Sequence, residues 1–179
     1  KWSEPFENSV STSGDINYFS REGHTVFTPQ LEVRWDDHLP CTGSNTGSLK
    51  QLSIDGTKDN YLYMINLKNT YRETETPKFR VGGRLRYQTK STSFSKGTTR
   101  TQFVPEKSGS YSITDVDTGK VIVPFGEHSY LSCDSTSNFF KQRLDGFITN
   151  RKYRIKLRLE TDDKKKIIFD DDFEFRVVS

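Results

Sequence analysis

The chain contains no alanine. Alanine is the strongest helix former, so its absence beside abundant Thr, Ser, Tyr, Phe, Val and Ile points away from helices and toward strands. Histidine is scarce: His24, His38 and His128 are all there is. Cysteine is scarcer still. Cys41 and Cys133 lie far apart and make neither a CxxC nor a metal-finger spacing. A disulfide between them is open, but free, partly buried thiols are the simpler expectation. No apolar run approaches the roughly 20 residues of a membrane span, so no membrane partner is expected. No leader pattern stands at this N-terminus. Met64 is the sole methionine, so Lys1 is not expected to be an encoded start. Phosphate-loop, dinucleotide-binding and GxSxG signatures are all missing.

Hydrophobic residues make up only 31% of the 179, and aromatics supply 13%. Each buried ring removes a large apolar area from water, so a core can form. It should be a thin one, as between two sheets. Net charge is +3, with 27 basic and 24 acidic residues interleaved rather than blocked. Nucleic-acid proteins concentrate charge on one face, so a nucleic-acid partner is not expected.

Period-two runs mark the strands. Leu31 to Asp36 alternates Leu31, Val33 and Trp35 against Glu32, Arg34 and Asp36. A loop from Asp37 to Ser48 precedes a short strand at Leu49 to Ile54. Asn60 to Lys68 is apolar on both faces, which predicts a central strand covered on both sides. Lys78 to Lys90 sets Val81, Leu85 and Tyr87 against Arg80, Arg84 and Arg86. Gly82-Gly83 within it predicts a bulge or a close backbone approach. Ser91 to Thr101 reads as a long exposed loop. Ser110 to Asp115, a turn at Asp117-Thr118-Gly119-Lys120, and Val121 to Pro124 predict a hairpin. Ser129 to Cys133 and Phe139 to Leu144 follow.

The last hairpin is the clearest. Tyr153, Ile155, Leu157 and Leu159 face one way, with Arg154, Lys156 and Arg158 opposite. The return strand runs from Ile167 to Val178. Pairing Arg158 with Asp170 would set Lys156 against Asp172 and Arg154 against Glu174. That register strands Asp171 on the apolar face, so a bulge near Asp171 is expected.

The polar Glu73-Thr74-Glu75-Thr76-Pro77 stretch is the best domain boundary. It divides the chain into a polar fringe or linker (1–14), an N-terminal β domain (15–74) and a C-terminal immunoglobulin-like β domain (75–179). A single sandwich with this stretch crossing between sheets fits nearly as well. The fold class is all-β: an antiparallel β-sandwich of one or two immunoglobulin-like domains.

Candidate chemistry is sparse. Asp36-Asp37-His38, with His24 upstream, is dense enough for a metal, but a turn start explains it as well. Asp170-Asp171-Asp172 lacks the alternation of a calcium loop and reads as partners for the facing basic strand. Gly126-Glu127-His128-Ser129-Tyr130 has the residue types of a triad without its spacing. No cofactor, no metal and no catalytic residue is therefore expected, and the chain reads as non-enzymatic. Arg80, Arg84, Arg86 and Lys90 form the one basic stripe, which Lys96 and Arg100 of the neighbouring loop extend. Arg80, Arg84, Arg86, Lys96 and Arg100 are the best candidates for protein contact.

Three stretches carry a resemblance: Phe19 to Asp37, reading FSREGHTVFTPQLEVRWDD; Leu131 to Phe140, reading LSCDSTSNFF; and Gly146 to Val178, ending DDFEFRVV. Together they resemble a module of virion structural proteins of marine and cyanobacterial tailed phages. There an FSR.THT…P.LE.RWDD stretch precedes KLSCD..SNYF and a terminal DD.F.FKVV. The resemblance runs from about residue 14 onward. Lys164-Lys165-Lys166 departs from it, standing where such proteins have a Gly-containing turn. The resemblance implies a virion location, a role in decorating or clamping the particle (head, neck, tail or baseplate), other virion proteins in a symmetric assembly as partners, and no catalytic residues. The alternative reading is a carbohydrate- or receptor-binding module on the particle surface. It is motivated by Trp2, Trp35, Tyr61, Tyr63, Tyr71, Tyr87, Tyr111 and Tyr130. Exposed, coplanar rings flanked by Asp or Asn would favour sugar; buried rings would favour a scaffold. A hydrolase would show convergent carboxylates or a Ser/His pair in a cleft.

Overall fold

A computed structural model describes residues 37–87 and 101–179, which belong to one compact unit, Trp35–Ser179. The expected strand at Leu31 to Asp36, and Trp2, His24, Trp35, Lys96 and Arg100, lie outside the described residues. The chain is an all-β sandwich. A single turn of helix, α1 (Gly43–Thr46), opens the described part. The strands are β1 (Asn60–Ile65), β2 (Thr70–Arg72), β3 (Lys78–Leu85), β4 (Gly109–Asp115), β5 (Val121–Val123), β6 (Ser132–Cys133), β7 (Asn138–Lys141), β8 (Lys152–Glu160) and β9 (Lys166–Val178). One sheet has the order β1-β3-β7-β6 and the other β2-β9-β8-β4-β5. All pairings are antiparallel except β2 on β9, which makes the second sheet mixed.

The alternation read from the sequence places the core. On β8, Tyr153, Ile155, Leu157 and Leu159 are buried, while Arg154, Lys156 and Arg158 stay half-buried on the outer face. Rings bridge the sheets. Tyr111 of β4 stacks on Phe140 of β7 with centroids 3.8 Å apart, and Phe79 of β3 meets Phe175 of β9 at 5.3 Å. Tyr71, Tyr153 and Phe147 extend this slab. Aromatic pairs contribute about 0.5–1.5 kcal/mol each beyond simple burial, which lets an apolar-poor chain close a thin core. Burial of Tyr111, with Asp37 nearby, pushes its hydroxyl up to about 12.

Several expectations are corrected. The cysteines are not free thiols: Cys41 and Cys133 form a disulfide, with Cα atoms 4.9 Å apart. Sequence spacing hid this, because packing of the 37–41 segment against β6 brings them together. The Glu73 to Pro77 stretch is not a domain boundary. β1 lies in the four-stranded sheet with β3, and β2 in the five-stranded sheet with β9, so the stretch crosses between sheets. β1 is not central: among the described residues it pairs only with β3, at the sheet edge. Its second apolar face, Tyr61 and Tyr63, is half-buried rather than covered. Leu49 to Ile54 makes an isolated bridge at Gln51 instead of a strand, although Leu52 and Ile54 are buried. A 3-10 turn, Glu127–Ser129, replaces the start of the strand expected from Ser129.

The terminal hairpin pairs Arg154 with Glu174 as read, then shifts register. Ile155 faces Phe173 but Leu157 faces Phe169, so three residues of β8 oppose five of β9. Asp170, Asp171 and Asp172 lie in this bulge, with Asp172 at φ 52°. The bulge keeps Phe169 and Phe173 on the inner face and turns the acids outward. Arg158 faces Ile168 rather than Asp170, and its guanidinium donates to Ser110 Oγ at 3.0 Å.

Candidate functional site

The basic stripe on β3 is divided by its neighbours. Arg80 donates to Asp134 Oδ1 at 3.0 Å and to Ser137 Oγ at 3.2 Å, and Lys78 also bonds Asp134. Burial works against the Asp134 carboxylate, but those two cations and the amides of Thr136 and Ser137 outweigh it, leaving its pKa well below the usual range. Arg80 thus anchors the Asp134 turn. Arg84 and Arg86 differ: among the described residues neither makes an ion pair, and both guanidiniums lie over the Tyr61 ring, at 5.0 and 5.9 Å from its centroid. Of the three expected contact residues that are described, Arg80 is held by Asp134, whereas Arg84 and Arg86 make no ion pair among the described residues.

Tyr61 and Tyr63 occupy the β1 face turned away from Leu62. Alternation puts them side by side, with centroids 6.2 Å apart and planes within 15°. Gly82, opposite Tyr63, explains how that ring lies. A Cβ at Gly82 would come within 2.5 Å of Tyr63 Cζ, so the phenol end of Tyr63 crosses the bare backbone. The close approach expected at Gly82-Gly83 is present, and the β1–β3 register runs through it without a bulge. Tyr63 hydrogen-bonds Thr101 Oγ1 at 3.1 Å. Tyr61 donates to Asp171 Oδ2 at 2.8 Å, which raises its own pKa. Tyr87 is 76% exposed, whereas Tyr71 and Tyr111 are buried in the core and Tyr130 is half-buried.

A cleft on the opposite side of β7 is lined by Asp37, His38, Glu127, His128, Ser132 and Lys141 over the Tyr111–Phe140 stack. His38 Nε2 is 2.6 Å from Glu106 Oε1, and Ser132 Oγ is 3.5 Å from His38 Nδ1. Serine, imidazole and carboxylate do converge here. The serine, however, is 5% exposed on β6, and its oxygen already accepts the Leu39 N–H at 3.1 Å. Glu106 likewise accepts the Cys41 N–H at 2.6 Å. These bonds staple the 37–41 segment to the sheet beside the disulfide. Glu106 had no signal in the sequence, lying 68 residues from His38. Among the described residues no group of His, Cys, Asp and Glu is arranged to hold a metal, and no helix is long and apolar enough to cross a membrane.

The Asp170–Asp172 bulge is compensated by the facing strand. Arg154 reaches Glu174 at 2.7 Å and Asp172 at 3.0 Å, and Lys156 reaches Asp170 at 2.9 Å.

β5 forms the other feature open to a partner. It pairs only with β4 among the described residues, and it is apolar: Val121 is 51% exposed and Ile122 38%. Val116, across the turn, is exposed too. Asp115 closes that turn. Burial disfavours its charge, but Arg151 at 2.7 Å and the amides of Asp117 and Thr118 prevail, holding its pKa below normal.

Comparison with protein-family models, with curated proteins and with solved structures found no match to this chain.

Proposed function

We propose that the chain is a non-enzymatic structural protein of a tailed-phage virion, joined to its neighbours at the β5 edge. The observation that carries this reading is an uncharged Val-Ile-Val edge strand with exposed side chains. Folded domains normally blunt an edge with charge, cover, shortness or a bulge, because it templates pairing with another chain. β5 is short and its register shifts at Ile122, but it carries no charge and leaves Val121 and Ile122 exposed. Strand addition gives affinity through main-chain hydrogen bonds, and many copies in a symmetric shell or tube multiply a small contact through avidity. The Cys41–Cys133 disulfide supports the setting, since disulfides persist at virion and cell surfaces and are rare in reducing cytosol. The sequence resemblance supports the particle. Quantitative mass spectrometry of purified particles tests the reading: the chain should be present in a fixed ratio to the major structural protein. Its absence would overturn the assignment.

A second reading, a carbohydrate- or receptor-binding module on the particle surface, is favoured by one observation: the near-parallel, half-buried Tyr61 and Tyr63 rings beside Asp171.

A further inference from the structure

We infer that the β1–β3 face binds an acidic saccharide, with Tyr63 as the stacking platform and Arg84 and Arg86, carried over the Tyr61 ring, as the carboxylate-binding groups. This rests on the second reading above and names its ligand class. It is independent of the β5 contact, which lies on the other sheet.

The argument starts from Gly82. A side chain there would lift Tyr63 off the sheet; its absence lets the phenol end lie against backbone. Thr101 then fixes the hydroxyl, and Tyr61 aligns within 15° of the same plane. Tyr63, preset against the backbone, presents the apolar surface that the C–H face of a pyranose needs at little cost in side-chain entropy, while the aligned Tyr61 ring carries the two guanidiniums beside it. Ring stacking alone would accept any flat ligand. The charges restrict it. Arg84 and Arg86 make no ion pair among the described residues, whereas Arg80, Arg151 and Arg154 are each held by a carboxylate. A guanidinium offers a planar fork that matches a carboxylate with two parallel N–H donors. Asp171 supplies the opposite requirement. One of its oxygens takes the Tyr61 hydroxyl, and the carboxylate retains lone pairs that accept from sugar hydroxyls. A fixed carboxylate at the site also counts against single-stranded DNA, whose sugar-phosphate backbone brings no hydroxyl donors to offset the repulsion. The combination of an open ring, two guanidiniums and one carboxylate therefore fits a hydroxyl-rich ligand carrying isolated carboxylates, as in a uronate-containing polysaccharide, better than single-stranded DNA.

The test uses the full chain, isotopically labelled, titrated with an oligogalacturonate and followed by NMR, with an uncharged malto-oligosaccharide and oligo-dT in parallel. Oligogalacturonate should perturb β1 and β3 resonances around Tyr63 and Arg84 selectively, and added salt should weaken it. Arg84→Gln with Arg86→Gln should reduce affinity about tenfold or more while leaving the melting temperature unchanged. Tyr63→Ser should remove binding, and Tyr61→Phe, which keeps the ring, should weaken it only partly. The inference is overturned if oligogalacturonate leaves this face unperturbed, if binding survives the double Gln variant, if the neutral sugar binds as well, or if oligo-dT alone binds. Such a failure would leave the assembly role untouched, because that role is read from the particle and from β5.

Discussion

Cys41 is bonded to Cys133 across 92 residues of chain. The bridge ties the segment before α1 to β6, where Asn138 packs against it and donates to Cys133 Sγ at 3.0 Å. Closing a loop of this length is worth about 4–5 kcal/mol in the chain-entropy account. Against a typical total of about 5–15 kcal/mol, that is a large share. Cys41→Ser with Cys133→Ser should therefore lower the urea midpoint sharply, and dithiothreitol should reproduce the effect on the parent chain. Equal midpoints with and without reductant would show that the bond contributes nothing.

The divided basic stripe makes a paired prediction. Arg80→Ala releases Asp134 and its turn, so it should destabilise the fold. Arg84→Ala and Arg86→Ala remove groups with no ion pair among the described residues, and each should stay within about 0.5 kcal/mol of the parent. Chemical denaturation separates them; equal losses at all three positions would contradict the division.

Acid should unfold the protein through Asp115 and Asp134. Both carboxyls have folded pKa values below the 3.8 of an ordinary aspartate. Groups of this kind add stability that is fully present above the unfolded pKa and is lost as pH falls through the folded value. Thermal stability should hold down to about pH 4 and then decline. Asp115→Asn with Asp134→Asn should be less stable at neutral pH and show a shallower decline below it. An unchanged slope would place acid sensitivity elsewhere.

Gly82 and Tyr63 should be coupled. Gly82→Ala forces the phenol aside and breaks its bond to Thr101, costing about 1–3 kcal/mol as an overpacking change. In a Tyr63→Ser background the same alanine no longer meets the phenol that crowds it, and most of the cost should disappear. A double-mutant cycle measures the difference, and strict additivity would refute the close approach.

The strands were legible because alternation is local. β8 reads directly from Tyr153 to Leu159, and an aspartate at an apolar position, Asp171, signals the bulge. What was not legible depends on tertiary partners. The apolar residues of β1 predict a centre covered on both sides, whereas the structure makes β1 an edge with one aromatic outer face. Only the pairing of Tyr63 with Gly82 decides between them. The disulfide and the His38–Glu106 contact join residues 92 and 68 apart, and no spacing rule reaches that far. Arg80, Arg84 and Arg86 share one alternating face, but a sequence does not say that Asp134 will neutralise the first alone.

The central claim is that this sandwich is a virion building block joined through β5. Cryo-electron microscopy of intact particles tests it most directly. The account predicts density for the chain at a symmetric site, with Val121–Val123 paired to a strand of a neighbouring subunit. Particles that lack the chain, or that hold it with β5 bathed in solvent, would contradict it.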